Sequence, residues 1–291
     1  MAATLFLIFA VVIWGWNFVA SKIVLEHVSP LNVMGIRLIV GLPIMYAIIR
    51  ARKISFDFKG HRRGLLLGSI FIAAHFIVQF TGIKYTSATN TGWLIGIIPL
   101  VTAVLAYFIL KEKIGRYTIV GIIIATAGII LLISKGNITD LSWLSSVGDW
   151  LVLGSAFTWG FYTIFTRDLS RACDPLITTF TVLLTPAAIG LIFMIFTFDW
   201  SIIRDFSTEV IISFLYLGIF GTALAHWFWQ EGVARLGAAK AGIFLFLEPL
   251  ATTALAVPYL HESFGLYTAV GGTLVLGGVF IAQRKVYKKP L

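Results

Sequence analysis

Long apolar runs, broken by short polar stretches, make up most of the chain. A helix that crosses the hydrocarbon core of a bilayer needs about 20 predominantly apolar residues. Runs of that length predict ten transmembrane helices, at residues 4–24, 31–49, 64–83, 90–110, 116–134, 148–167, 175–198, 209–229, 240–260 and 265–283. The runs are continuously apolar, whereas the strands of a membrane β-barrel alternate with a period of two. The pattern therefore predicts an all-α membrane protein.

The composition agrees with a membrane protein and excludes several classes of soluble protein. Hydrophobic residues make up 59% of the chain and charged residues only 12%, against about 45–50% and about 25% in soluble domains. A soluble globule cannot hide that much apolar surface, so soluble enzymes, nucleic-acid-binding proteins and disordered proteins are excluded. The single cysteine, Cys173, permits neither an intrachain disulfide nor a thiolate metal cluster. We expect no metal and no cofactor.

The net charge of +9 predicts an orientation in the membrane. With ten spans, most Lys and Arg residues fall on one side, in the loops at 50–63 and 111–116 and in the tail at 284–289. Cytoplasmic loops are enriched in Lys and Arg, so both termini are predicted to be cytoplasmic. The first run has no basic leading segment and is longer than the apolar core of a signal peptide, so we expect a retained helix.

The two halves of the chain repeat each other. Residues 82–133 align without a gap with residues 232–283, at an offset of 150. The identical pairs include Gly82/Gly232, Gly92/Gly242, Pro99/Pro249, Glu112/Glu262, Gly115/Gly265, Tyr117/Tyr267, Gly121/Gly271 and Gly128/Gly278. Compositional bias would scatter Leu and Ile identities, but it would not align Pro, Glu, Gly and Tyr in register, so we infer an internal duplication.

An earlier block of the repeat runs at a smaller offset. Trp14-Gly15 matches Trp159-Gly160 at an offset of 145, and the drift of five residues predicts a longer connection between the seventh and eighth helices. We place the repeats at residues 1–138 and 139–291. Each holds five helices, an odd number, so the second must enter the bilayer from the opposite face. Inverted repeats of this kind recur in secondary transporters, with a binding site near the midplane between the halves.

The same residues carry a resemblance to a known family. The segment 14–30, WGWNFVASKIVLEHVSP, resembles the opening of an EamA-type repeat of the drug/metabolite transporter superfamily. The blocks at 99–112 and 249–262, each followed by a Gly-rich helix, are similar to the same repeat. The resemblance covers the chain as two EamA units. It implies a ten-helix carrier of small metabolites, often an exporter of amino acids or related compounds, in the bacterial cytoplasmic (inner) membrane.

Ionisable and polar residues inside the spans are candidates for substrate binding. Glu248 lies near the middle of the ninth span, and His75 lies near the middle of the third, with Gln79 one turn later on the same face. Such groups are costly at membrane depth and usually face a cavity or the bundle interior. Glu248 and His75 are also candidates for proton coupling, because both can carry a proton. The alternative is that they join helices by hydrogen bonds.

Aromatic residues supply further candidates for the substrate site. Trp14 and Trp159 are repeat mates near the membrane centre, and their flat faces and indole N–H groups could wall a cavity. They could equally serve packing, with the adjacent glycines allowing close helix approach. Asn17, Trp93 and Tyr162 are additional lining candidates from their positions along the same or neighbouring spans.

Other polar residues are expected to have structural roles. His226, nearer the cytoplasmic end of its span and beside two tryptophans, is predicted to be interfacial. Arg37 is expected to extend outward to the membrane surface or to pair with a carboxylate or a helix C-terminus. Glu112 and Glu262 are expected to cap the helices that follow them, the fifth and the tenth.

Missing motifs narrow the mechanism. The chain contains no G-x-x-x-x-G-K-[ST], HExxH or G-x-S-x-G motif, which argues against ATP-driven transport and against a zinc protease or serine hydrolase. We therefore expect a secondary active or facilitative transporter, not an enzyme, that works by alternating access as a monomer or homodimer. Pro99 and Pro249 are predicted hinges. Two alternatives stay open: an intramembrane enzyme acting on a lipid or prenyl substrate, and a passive channel.

Overall fold

The computed structural model of the chain describes residues 2–58, 60–134, 136–137, 146–260 and 266–282. This part of the chain is mostly helical and contains no β-strand. The helices of the first half are α1 Ala2–Leu25, α2 Pro30–Ala51, α3 Arg62–Tyr85, α4 Ala88–Leu94, α5 Ile98–Ile109 and α6 Arg116–Ser134. Those of the second half are α7 Val147–Ala172, α8 Pro175–Thr197, α9 Thr208–Tyr216, α10 Ala225–Leu236, α11 Ala238–Gly242, α12 Glu248–Leu260 and α13 Leu266–Ala282.

Several of these helices have the length and apolar character of a membrane span. Within the described ranges six stretches qualify: Ala2–Leu25, Pro30–Ala51, Arg62–Tyr85, Ala88–Ile109, Pro175–Thr197 and Thr208–Leu236. The prediction of an all-helical chain with several spanning helices is confirmed. The count of ten spans and the inversion of the repeats stay predictions.

Two helical stretches are interrupted at equivalent places in the two halves. A 3-10 turn, Ile95–Ile97, joins α4 to α5, and a 3-10 segment, Ile243–Leu247, joins α11 to α12. Pro99 and Pro249 follow these breaks directly, as the second residues of α5 and α12. A proline is tolerated in the first turn of a helix because its missing N–H is not needed there.

A π-helical segment, Leu217–Leu224, joins α9 to α10 and marks a difference between the halves. The connections before the equivalent helices, residues 52–61 and 198–207, are equally long, so the expectation of a longer connection is wrong. Instead the helical stretch Thr208–Leu236 has 29 residues where Arg62–Tyr85 has 24. One added α-helical turn takes about 3.6 residues and a π turn takes an extra one. The five-residue drift therefore lies inside this helix.

Helices of the two halves are interleaved rather than segregated. Helix α3 packs along α7, α1 packs along α10, and α2 packs along α8. The largest hydrophobic core cluster draws side chains from α1, α2, α3, α7, α8 and α10. The centre of the molecule is therefore built from both halves of the chain.

Helices α6 and α13 form a separate close-packed pair. The backbone carbonyl of Gly278 contacts the position where a Cβ on Gly121 would lie, and the carbonyl of Gly271 does the same at Gly128. Small residues at such a crossing let two membrane helices approach closely. The glycines of α6 and α13 therefore face each other within the chain.

Candidate functional site

A cavity lies between the two halves of the chain. It is bordered by α1, α2, α3, the α4–α5 break, α7, α10 and the α11–α12 break. The space inside it that a water-sized sphere can reach is about 30 Å³, enough for one or two water molecules, so a small metabolite can enter only if the surrounding side chains move apart. Six of the predicted substrate-binding residues line it: Trp14, Asn17, His75, Gln79, Trp159 and Glu248.

The other two predicted residues lie outside this cavity. Tyr162 is fully buried, and its hydroxyl accepts a hydrogen bond of 2.7 Å from the side-chain amide of Gln230. Trp93, on α4, is partly buried and directs its indole N–H to the hydroxyl oxygen of Thr253 at 3.4 Å. Neither side chain borders the cavity.

Two residues with other expected roles border the cavity instead. His226 is 2% exposed, so the expectation of an interfacial histidine is wrong. Arg37 is 3% exposed; it neither extends to the membrane surface nor pairs with a carboxylate of the described residues. The available signal was the one used for Glu248, an ionisable residue inside an apolar run.

An aromatic cluster forms one end of the cavity. The rings of Trp14 and Trp159 meet edge to face with centroids 4.9 Å apart. His75 lies 4.9 Å from the Trp159 ring, and His226 lies 5.1 Å from the Trp14 ring. Trp229, behind them, is 5.7 Å from Trp14. Edge-to-face and tilted contacts of this kind are favourable, so the repeat-related tryptophans are fixed at the centre.

The π-helical segment supplies backbone groups to this cluster. The carbonyl of Gly221 accepts hydrogen bonds from Trp14 Nε1 at 3.1 Å and from His226 Nδ1 at 2.8 Å. A side chain at Gly221 would collide with the amide of Asn17. π turns are frequent at functional sites, and here the turn connects α1 to α10 through one carbonyl.

His75 is held by a neighbouring helix. Its Nδ1 lies 3.0 Å from the backbone carbonyl oxygen of Ser155 on α7. Because a carbonyl can only accept, Nδ1 carries the proton in this contact, as Nδ1 of His226 does toward Gly221. The side chain of Gln79 also hydrogen-bonds His75, whereas Nε2 of His226 is buried without a partner in the described structure.

Several polar atoms around the cavity are buried without a hydrogen-bond partner. They are Asn17 Oδ1, Arg37 Nη2, Trp159 Nε1 and His226 Nε2. Buried polar groups in native proteins are almost always satisfied, so this set indicates a place where a ligand or water completes the bonding. In the described ranges no group of three or more His, Cys, Asp or Glu residues could hold a metal ion.

Glu248 contributes the carboxylate of the cavity. It is 4% exposed and is the first residue of α12, where a negative charge is favoured by the free N–H groups of the helix start. No hydrogen bond or ion pair joins its carboxylate to another residue of the described structure. Glu248 is therefore available to a ligand or to a proton.

The cavity extends toward one end of the helix bundle. Its lining runs from Trp14 to Ser21 on α1 and from His75 to Ile83 on α3, which is toward the C-terminal ends of both helices. Beyond it, Lys22 Nζ donates to the backbone carbonyls of Ile83 at 3.1 Å and Thr86 at 2.7 Å. A lysine in this position satisfies carbonyls left free at a helix end.

A second group of polar contacts lies at the other end of the bundle, where α5, α7 and α11 meet. Glu112 pairs with Arg167, with 3.2 Å between Oε1 and Nε. Its carboxylate also accepts from the backbone N–H groups of Ala238 and Ala239, at 3.2 Å each. Glu112 therefore caps α11 and not α6, which corrects the expectation that it caps the helix that follows it. Its repeat mate Glu262 lies outside the described residues.

Comparison with known proteins gives relatives along the whole chain. The uncharacterized transporter YyaM of Bacillus subtilis is 28% identical over 75% of this chain and 72% of its own. An uncharacterized transporter of Archaeoglobus fulgidus is 25% identical over 98% of both chains. A protein of Salmonella typhimurium described as a probable amino-acid metabolite efflux pump is 25% identical over 93% of this chain and 91% of its own.

The fold also has a counterpart among solved structures. One chain of known structure, 20% identical, superposes with a TM-score of 0.75 over 97% of this chain and 96% of its own. The model of the EamA-like transporter family matches residues 1–134 and 146–283. The resemblance inferred from the sequence motifs is confirmed: the chain belongs to the EamA-like transporter family, within the drug/metabolite transporter superfamily.

Proposed function

We propose that this protein is a secondary active or facilitative carrier that exports amino acids or related metabolites by alternating access. The observation that carries the proposal is the cavity, which is bordered by both halves of the chain and extends toward one end of the bundle. A carrier needs such a site between two parts that move against each other. The Salmonella relative described as an amino-acid metabolite efflux pump supports the class of substrate.

The proposed architecture is ten spans in two inverted repeats, residues 1–138 and 139–291. Contacts that recur under exchange of the repeats support it. Gly15 lies against Thr252, while its mate Gly160 lies against Thr102, the repeat equivalent of Thr252. The glycine contacts between α6 and α13 exchange with each other in the same way. A two-fold relation between the halves makes an inward-open state accessible by the same movements that produce the outward-open one.

The hinges of this movement are placed at the helix breaks before Pro99 and Pro249. Each break changes the helix from 3-10 to α geometry at mid-span and lies beside the cavity, where Ile98 and Glu248 border it. Interruptions at proline are common sites of helix bending. We place both termini on the cytoplasmic side of a bacterial inner membrane, so that the open end of the cavity faces outward. The partners in this proposal are a small-molecule substrate and the bilayer, for a monomer or homodimer.

The substrate site is assigned to the six cavity residues given above, with Trp93 and Tyr162 outside it. Glu248 and His75 are the proposed proton-coupling residues. The charged or titratable side chains that border the cavity with them are Arg37 and His226. Proton coupling would require that one of these groups takes up a proton from one side of the membrane in one conformation and releases it to the other side in the other conformation.

Counterflow in liposomes tests the carrier and its coupling. Purified protein is reconstituted with an internal pool of unlabelled amino acids, and uptake of a labelled one is followed at several pH values. We expect saturable exchange, and we expect the Glu248→Gln variant to lose the dependence of exchange on pH. Unchanged pH dependence in Glu248→Gln would exclude Glu248 from coupling, and absence of exchange for every amino acid would contradict the proposed function.

A further inference from the structure

We propose that Arg37 binds the carboxylate of a zwitterionic ligand whose ammonium group faces Glu248. The inference rests on the proposed function and specifies its site. One residue binds each charged group of the ligand, so the site selects α-amino acids over the corresponding amines and acids.

Arg37 is a buried cation whose charge is not balanced by the described residues. Its side chain is 3% exposed, and no carboxylate of the described structure lies within ion-pair distance. Nη2 is buried and has no hydrogen-bond partner. An arginine stays protonated in proteins, and a buried charge is strongly unfavourable without a counter-charge. An anionic group of a ligand in the cavity supplies that counter-charge.

The guanidinium is held in one orientation by its surroundings. Nε donates to Thr222 Oγ1 at 2.7 Å, and the Thr222 hydroxyl in turn donates to the carbonyl of Leu217 at 2.8 Å. The guanidinium carbon lies 5.0 Å from the ring centre of Phe76 and 5.3 Å from that of Phe80. These contacts occupy the Nε edge and one face, so the terminal nitrogens are left for a carboxylate, which arginine binds well through paired N–H groups.

Glu248 has the complementary property on another wall. It is buried, borders the same cavity and has no ion-pair partner among the described residues. Arg37 therefore offers a positive charge and Glu248 a negative charge to the same cavity, and the two groups do not pair with each other. A ligand that carries both charges satisfies both groups, whereas an amine or an acid leaves one of them unpaired.

The remaining wall favours an apolar side chain on that ligand. Trp14, Phe18, Phe76, Phe80 and Trp159 border the cavity with aromatic surface. Aromatic side chains bury large areas and interact specifically with other rings. A phenyl ring is therefore a suitable probe of the site.

Three related compounds test the two charges separately. L-Phenylalanine carries both charges, phenethylamine lacks the carboxylate and 3-phenylpropionate lacks the ammonium group. Binding to the purified full-length protein is measured by the ligand-induced shift of its unfolding temperature and by quenching of tryptophan fluorescence. Exchange is measured in liposomes with the same compounds. We expect the wild-type protein to bind L-phenylalanine more tightly than either analogue.

The variants should separate the two ends of the ligand. Arg37→Gln should weaken binding of L-phenylalanine by about tenfold or more, as expected for loss of a charged hydrogen-bonding partner, and should leave binding of phenethylamine unchanged. Glu248→Gln should weaken binding of L-phenylalanine and phenethylamine and leave 3-phenylpropionate unchanged. Arg52→Gln is the matched control, because Arg52 is exposed and stacks on Trp227 away from the cavity.

Thr222 acts as a positioning residue in this proposal. Thr222→Val removes the hydroxyl at nearly constant size, so it should reduce the preference for L-phenylalanine over phenethylamine, and Thr222→Ser should restore it. If Arg37→Gln does not fold, Arg37→Lys and the Thr222 pair give the same test, since the unfolding temperature without ligand shows which variants are intact.

The possible results distinguish this inference from the proposed function. If the protein exchanges L-phenylalanine but Arg37→Gln weakens binding of all three compounds equally, the carboxylate anchor is overturned and the carrier is kept. Binding with the expected discrimination but without exchange would keep the anchor and contradict the carrier. If the wild-type protein prefers 3-phenylpropionate, the site takes an anion and the role of Glu248 is wrong. If no compound binds or exchanges, both proposals fail.

Discussion

At the scale of single residues, a polar network beside the cavity explains why Tyr162 is buried. Gln230 donates to the Tyr162 hydroxyl at 2.7 Å and to Thr166 Oγ1 at 2.9 Å, and it accepts from the Ser170 hydroxyl at 2.7 Å. All four side chains are buried. Such a network joins α7 to α10, and it leaves Tyr162 no free direction toward a substrate.

Substitutions in this network should affect stability in a graded way. Tyr162→Phe removes one hydrogen bond and should lower the free energy of unfolding by about 1 kcal/mol, whereas Gln230→Leu leaves several buried partners unsatisfied and should cost about 1–3 kcal/mol. Thermal unfolding in detergent measures both. The half-saturation concentration for exchange should not change in Tyr162→Phe, and an increase would return Tyr162 to the substrate site.

The residues at the centre of the cavity could be predicted from the sequence more completely than Arg37 and His226, which also border it. Trp14 and Trp159 could be found because a duplication brings equivalent residues to the same depth, and His75, Gln79 and Glu248 because polar residues are rare in apolar runs. The positions of Arg37 and His226 near a helix end favour an interfacial role for His226, and for Arg37 either extension to the surface or pairing with a carboxylate or a helix C-terminus. Their actual partners, Thr222 and the Gly221 carbonyl, belong to a π turn on a distant segment that no local pattern indicates.

At the scale of elements, the pair α6 and α13 depends on the absence of side chains at its crossing. A Cβ on Gly121 would lie 2.5 Å from the Cβ of Ala282 and closer still to the Gly278 carbonyl oxygen. A Cβ on Gly277, which precedes Gly278 on α13, would meet nothing within 4 Å. Gly121 and Gly277 therefore both lie in helices, but only Gly121 lies at the helix crossing.

The contrast predicts opposite effects of the same substitution. Gly121→Ala should lower the free energy of unfolding by about 1–3 kcal/mol, because the two helices must separate. Gly277→Ala should leave it unchanged or raise it by up to about 1 kcal/mol, because alanine favours the helix. Unfolding temperatures of the two variants in the same detergent provide the comparison. Equal losses in both would show that the crossing does not limit stability.

The apolar runs predicted the elements well, and their interruptions less well. Each run overlaps a helix or an end-to-end series of helices, because apolar length alone specifies such a segment. Pro99 and Pro249 indicated where two helices break. No local pattern predicts the π turn at Leu217–Leu224, because extra residues inside an apolar helix leave the character of the run unchanged. The only sign of the turn in the sequence is the change of repeat offset, which a longer connecting loop would explain equally simply.

At the scale of the whole molecule, orientation is the property that the charge distribution predicts and that the native cysteine can test. Cys173 follows α7 directly, on the predicted cytoplasmic side, and its Sγ donates to the Asp57 carbonyl at 3.2 Å. Burial and the negative charge of Asp57 raise the pKa of the Cys173 thiol. Because the thiolate is the reactive form, its labelling should be slow at neutral pH and should accelerate as pH rises.

Labelling in intact cells and inverted vesicles measures the orientation. A membrane-impermeant maleimide should label Cys173 in inverted vesicles and not in intact cells. The control is the double variant Cys173→Ser/Ser201→Cys, since Ser201 is exposed in the connection between α8 and α9, which is predicted to lie on the opposite side. It should show the reverse pattern. Labelling of Cys173 from outside intact cells would place the termini outside.

The five residues gained by the helix Thr208–Leu236 have a consequence for kinetics. A carrier made of two identical halves would populate its inward-open and outward-open states equally. In the proposed carrier one half alone carries an extra turn and a π segment, and that segment contacts Trp14 and Arg37, so we expect its two states to differ in free energy. A carrier with no driving ion must keep the ratio of maximal rate to half-saturation equal in both directions. We therefore expect unequal half-saturation concentrations on the two faces, with maximal rates that differ in the same ratio; equal values on both faces would contradict a difference between the states.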